Sequence, residues 1–234
     1  VSISQSAQRF DGLVEQTIAT LSDREKSGFT TLLHKKSEIL RHYATAFEVL
    51  NEEQCAQVFG ASSLTSRFAH RIVALNKQDA LSASIKSVRA SFVDPRVTLE
   101  MFSRLDGAPK ETLIDFASEF VHFVAPERFA LVSRWVWNPA RGTGALSPVF
   151  GTGIVSMGFL EMNSALLGLR ERLSVLGYGS PFDLDIVCAM AYAGMVIGTN
   201  QGSMSSGGFE ALFPNVSVTA LIILGLRRIA RANT

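Results

Sequence analysis

The sequence predicts an all-α fold: one multi-helix globular domain over residues 1–234, with a sub-boundary near 138–150. Apolar residues recur at steps of three and four. Helix-start residues such as Ser22, Asn51 and Asp94 stand where those stripes begin, and no strand-length run competes in the first half. With 234 residues a single core can bury roughly 70% of the surface the unfolded chain exposes, so folding needs no disulfide or metal staple.

From Ser4 to Leu21, Phe10, Leu13, Val14, Thr17, Ile18 and Leu21 form one apolar stripe on a helix. Ser22 followed by Glu25 is a capping-box pattern opening the next helix, whose apolar face carries Phe29, Leu32, Leu33, Ile39, Leu40, Tyr43 and Phe47. Asn51 with Glu52 and Glu53 starts a short third helix. Helices are expected over Ser63–Leu75 and Ala80–Ala90, and Asp94-Pro95 starts another, with proline at the first helical position. Lys110–Val124 reads as amphipathic, and Pro126-Glu127 as the opening of a further helix. Asn138 to Pro148 is a Pro- and Gly-rich loop. Helices then follow at about Ile154–Leu176, Pro181–Ile197 and Val216–Arg231, the last two separated by a small-residue loop at Gly198–Gly208.

Charged residues are only 18% of the chain against about 25% in typical domains, which points to a surface partly covered by a partner. A net charge of +1 excludes a broad field for nucleic acid or anionic membrane, though not a local basic strip. Cys55 and Cys188 sit inside helical patterns and read as buried apolar residues. The opening VSISQSAQRFDG has neither the basic start nor the apolar run of a signal peptide, so a cytoplasmic location is expected. The most apolar stretches, Phe182–Gly198 and Val216–Leu226, read as core helices and no transmembrane segment is expected.

Within Leu105–Val136, Leu105, Gly107 and Thr112 match a helical hairpin and Pro126, Phe129, Trp135 and Val136 a later stretch; together they resemble the helix-hairpin-helix DNA glycosylases. That resemblance implies a glycosylase-like helical scaffold whose hairpin amides, with Gly107 and Lys110, hold a DNA backbone phosphate. It puts Lys110, Glu111 and Ser133 near the reaction centre. The departures fall on the chemistry. Pro109 replaces the second hairpin glycine and removes an N–H. Glu111 stands where bifunctional members carry a nucleophilic lysine, with Lys110 adjacent. Ser133 stands where an aspartate supports the departing base, and a serine cannot supply that charge. The resemblance therefore implies a scaffold that has lost base excision; four closely spaced cysteines for an iron–sulfur cluster are absent, and no cofactor is expected.

The most function-like cluster is Arg128, Arg134, Trp135, Trp137 and Arg141, since Trp and Arg are enriched in binding hot spots; the tryptophans suit a core equally well. His34 and His42 lie eight residues apart, too far for one metal, and with Lys35, Lys36 and Arg41 among them that helix reads as a solvated charged face; no metal site is expected. His122, flanked by Phe120, Val121 and Phe123, reads as a partly buried core residue. Asp183 and Asp185 suit a helix N-terminus. Gly142-Thr-Gly144 and Gly151-Thr-Gly153 lack the strand and the Gly-Lys-Ser/Thr of a P-loop. The function expected is a non-catalytic helical accessory subunit or assembly protein with a protein partner. The alternative is a diverged glycosylase-like protein that binds duplex DNA or acts on a base, and a third option is an apolar pocket among the 16 phenylalanines.

Overall fold

The computed structural model describes residues 3–91, 94–151, 157–203 and 215–231, and every regular element among them is a helix. In chain order these are α1 (Ile3–Gln16), α2 (Asp23–Thr45), α3 (Glu52–Gly60), α4 (Ala69–Leu75), α5 (Gln78–Lys86) and α6 (Val88–Ser91). There follow α7 (Pro95–Ser103), α8 (Lys110–Val124), α9 (Ser147–Phe150), α10 (Phe159–Val175), α11 (Asp183–Ser203), α12 (Val216–Ile223) and α13 (Leu226–Arg231). Residue contacts divide the chain into two compact units, Val1–Thr30 with Arg134–Leu224 and Thr31–Ser133 with Gly225–Thr234. No described helix is long and apolar enough to cross a membrane.

Helix starts follow the capping residues. The Ser22 hydroxyl accepts from the Glu25 amide while the Glu25 carboxylate accepts from the Ser22 amide and hydroxyl, so the capping box opens α2. Asn51 and Gln54 exchange the same two bonds at α3, and Asp94 accepts from the Arg96 amide ahead of Pro95 in α7.

In the first unit Phe10 and Val14 of α1 are buried with Leu166 and Leu173 of α10 and Ile186 and Val187 of α11. Arg172 of α10 holds Asp11 of α1 through two bonds, Nε to Oδ1 at 2.9 Å and Nη2 to Oδ2 at 2.5 Å. Asp183 and Asp185 do open α11; both are buried, and Asp183 Oδ2 accepts from the Ser180 amide at 2.8 Å.

The second unit is built round α8. Its residues from Asp115 to Val124 are all buried, so beyond the first turns the polar face of this amphipathic helix, with Asp115, Ser118, Glu119 and His122, is enclosed along with the apolar one. Phe116 and Phe120 of α8 meet Phe59 of α3 and Phe102 of α7, with ring centroids 5.2–6.1 Å apart, a geometry that adds to the burial of each ring.

Four helix expectations are corrected. Over 63–75 only Ala69–Leu75 is helical, because Ser62 Oγ takes the Leu64 amide and Thr65 Oγ1 donates to the Phe59 carbonyl, side-chain bonds that offer the backbone another conformation. Pro126-Glu127 opens no helix. The amides of Arg128 and Phe129 close a single turn on the Ala125 carbonyl, and His122 Nδ1 donates to the Phe129 carbonyl at 2.7 Å, after which 129–133 is irregular. Val216–Arg231 is two helices broken at Gly225, whose φ of +71° is left-handed and where a Cβ would stand 3.0 Å from the Ala61 carbonyl oxygen. The helix expected from Ile154 begins at Phe159; residues 154–156 lie outside the described residues. So do 204–208 of the small-residue loop, while α11 continues through 198–203.

Candidate functional site

One concavity of the second unit, among the described residues, is a groove of about 690 Å³. One wall is α2, where Lys35, Ile39 and Tyr43 follow at steps of four and so form one line along the helix. The facing wall is α3, with Glu53, Ala56, Gln57 and Gly60 at steps of three and four. Arg228 and Ile229 of α13, Ala69 and His70 of α4, and Ala61 and Ser66 between α3 and α4 add to the lining. Tyr43 donates its hydroxyl to Gln57 Oε1. Burial pushes the Tyr43 phenol above its usual range and the neighbouring Glu53 carboxylate pushes it the same way. At the other end Arg228 Nη1 donates to the Gly60 carbonyl, 3.3 Å away, satisfying an orphan acceptor at the end of α3.

Behind this wall lies an ion pair. Lys36 Nζ is 2.5 Å from Glu119 Oε1, Ser62 Oγ donates to Glu119 Oε2 at 2.5 Å, and the ammonium also sits 4.4 Å from the centre of the Phe123 ring. Lys36 has no exposed surface, which corrects the reading of that stretch of α2 as a solvated charged face. Phe29, Leu33, Lys36 and Leu40 run at steps of four, three and four, so the lysine occupies the apolar stripe itself.

The residues singled out from sequence are divided between the two units, with Lys110, Glu111, Arg128 and Ser133 in the second and Arg134, Trp135, Trp137 and Arg141 in the first. Trp137 is buried, stacked at 4.1 Å on Phe150, with no protein partner for its indole N–H. Trp135 is half-buried beside Tyr192, their centroids 5.9 Å apart. Arg128, Arg134 and Arg141 are exposed. Lys110 and Glu111 are exposed at the start of α8, whereas Ser133 is buried with an unpartnered Oγ.

α7 and α8 pack together about a turn at 104–109, at the start of the Leu105–Val136 segment. Gly107 is left-handed there, with φ +100°, and its Cα faces the backbone of α4: a Cβ would lie 2.8 Å from Ile72 N and Cα. The Asp106 amide donates to Asn76 Oδ1 at 3.0 Å, and Asn76 Nδ2 returns a bond to the Asp106 carbonyl. That turn amide is therefore satisfied inside the fold.

His122 is fully buried and donates from Nδ1, as suits a core histidine. Both cysteines are buried free thiols; burial pushes Cys55 up and Cys188 well up from the usual range. Among the described residues no three His, Cys, Asp or Glu side chains gather to hold a metal ion.

Neither protein-family models, nor curated protein sequences, nor solved structures yield a match to this chain.

Sequence reasoning overlooked the groove. The line Lys35–Ile39–Tyr43 was open to the same periodicity argument that found the apolar stripe of α2. The meeting of α13 with α3, 168 residues apart, leaves no local signal.

Proposed function

We propose that this protein is a non-catalytic helical binding protein whose second unit receives its guest in the groove between α2, α3 and α13. The groove itself carries the reading: its volume of about 690 Å³ lies within the range of roughly 300–1,000 Å³ usual for ligand sites, and apolar Ile39, Ala56 and Ile229 share its lining with charged and polar side chains such as Glu53, Gln57, His70 and Arg228. Burial pushes Tyr43 in the groove, and the buried thiols of Cys55 and Cys188, toward their protonated forms, so none of these three is an activated nucleophile, which supports the non-catalytic reading. This keeps the expected interaction role and moves its surface away from the Arg128–Arg141 segment, where one tryptophan is interior. The free thiols support a reducing, cytoplasmic setting.

The test is purification of the full chain from its own cells beside an Ala56→Trp variant, with and without nuclease. A stoichiometric companion that survives nuclease and is lost with Ala56→Trp is the expected result. A companion held equally by both proteins would overturn it.

The alternative is a diverged glycosylase-like protein on duplex DNA, and the α7–α8 hairpin with its left-handed Gly107 favours it. The bonded Asp106 amide weighs against a phosphate there. On that reading nuclease releases the companion, and affinity for duplex DNA falls steeply with salt.

A further inference from the structure

α13 is six residues long, and isolated helices below about 12–15 residues are marginal in water, so it is helical because it is docked. Its anchors are few. Leu226 and Ile229, three apart and so on one side of the helix, are buried, and Arg228 Nη1 holds the Gly60 carbonyl at 3.3 Å. The residue leading into α13 is Gly225, left-handed at φ +71°. A Cβ there would stand 3.0 Å from the Ala61 carbonyl oxygen, 3.0 Å from the Ser63 amide nitrogen and 3.2 Å from Lys36 Nζ. The backbone of Gly225 therefore lies against the ammonium that Glu119 pairs, a place that suits a residue with no side chain. Part of the cover that leaves Lys36 with no exposed surface thus comes from the least anchored end of the second unit.

We propose that α13 is a detachable strap, whose opening uncovers the Lys36–Glu119 pair and removes the Arg228–Ile229 wall of the groove while α2, α3 and α8 stay folded. Elements open locally in order of how much they bury. α8, buried from Asp115 to Val124, belongs to the last part of the unit to open, and α13, with two buried aliphatic side chains and one side-chain bond, to the first. The strap gates the groove: a guest enters when α13 is open and is enclosed when Arg228 and Ile229 return. That consequence rests on the groove being the binding surface, whereas the coupling of α13 to Lys36 does not.

The experiment reads the full chain in two ways with no guest present. Hydrogen–deuterium exchange follows the amides of α13 and α8, and acetylation by N-hydroxysuccinimidyl acetate, located by mass spectrometry, compares Lys36 with the exposed Lys77. Gly225→Ala puts a Cβ against Ala61, Ser63 and Lys36 only while α13 is docked, and Ile229→Ala removes one of the two buried anchors. In the parent, α13 is expected to exchange at least about tenfold faster than α8. Each variant should speed α13 exchange and Lys36 acetylation together by about tenfold, with α8 exchange and Lys77 acetylation held within about twofold. Ile229→Ala keeps the test valid if Gly225→Ala does not fold. Lys36 reacting only as fast as α8 exchanges in all three proteins, or staying unchanged while α13 speeds up, would overturn the proposal. Either failure leaves the groove reading to be decided separately by Ala56→Trp.

Discussion

Lys36 Nζ and Glu119 Oε1 stand 2.5 Å apart with the lysine side chain wholly enclosed, and Ser62 occupies the second carboxylate oxygen. Two charges can be buried at tolerable cost only when each is paired and the remaining lone pairs are bonded. Removing one partner is therefore the damaging change. Lys36→Met should destabilise the protein by about 3–5 kcal/mol, and Lys36→Met with Glu119→Gln should recover most of that loss, since glutamine still accepts from Ser62. Urea denaturation of the three proteins checks this; a double variant no better than the single one would contradict it.

This pair also shows where sequence reading stops. The period of the apolar residues located α2 and its stripe, and the capping residues Ser22, Asn51 and Asp94 located three helix starts, because both signals act within one or two turns. Lys35, Lys36 and Arg41 together read as a solvated charged face, and the carboxylate that lets Lys36 be buried lies 83 residues away. The same limit applies to Pro126, where a good first-turn residue is overridden by the bond from His122 to the Phe129 carbonyl. At 224–225 periodicity runs through a break whose cause is the backbone of 61–63. The groove is a product of such distant meetings, so it was legible only in pieces.

Gly107→Ala should destabilise by more than the roughly 1–2 kcal/mol of a left-handed alanine, because the new Cβ would also stand 2.8 Å from backbone atoms of Ile72. Thermal denaturation reads the effect. A loss below about 1 kcal/mol would mean that α4 and the 104–109 turn separate easily.

Asp183 and Asp11 should leave opposite marks on pH dependence. Burial holds the Asp183 carboxyl above the ordinary aspartate range, with Ser180 partly opposing and Asp185 adding to it. Folded Asp183 thus keeps its proton more tightly than the unfolded chain, and its contribution falls as pH rises from the unfolded pKa through the raised folded one. The bond from Arg172 holds Asp11 below the ordinary range, so its contribution is complete above the unfolded pKa and is lost as pH falls through the folded one. Stability of Asp183→Asn and Asp11→Asn relative to the parent, followed from acid to neutral pH, should therefore drift in opposite directions. Parallel drifts would contradict the assignments.

Trp137 makes its contribution through the ring alone, since its indole N–H has no protein partner while the ring stacks on Phe150. Trp137→Phe should cost under about 2 kcal/mol and Trp137→Ala about 3–5 kcal/mol, read by denaturation. Neither should change guest binding. A loss of binding in Trp137→Phe at full stability would return the binding surface to the tryptophan segment.

The most direct measurement is a pair of ¹H–¹⁵N spectra of the full chain with and without the companion that co-purifies with it. Shifts that saturate together at Ile39, Ala56, Gln57 and Ile229, and leave Arg134, Trp135 and Arg141 unmoved, are what binding in the groove predicts. Shifts centred on Arg134 to Arg141, with α2, α3 and α13 silent, would contradict it.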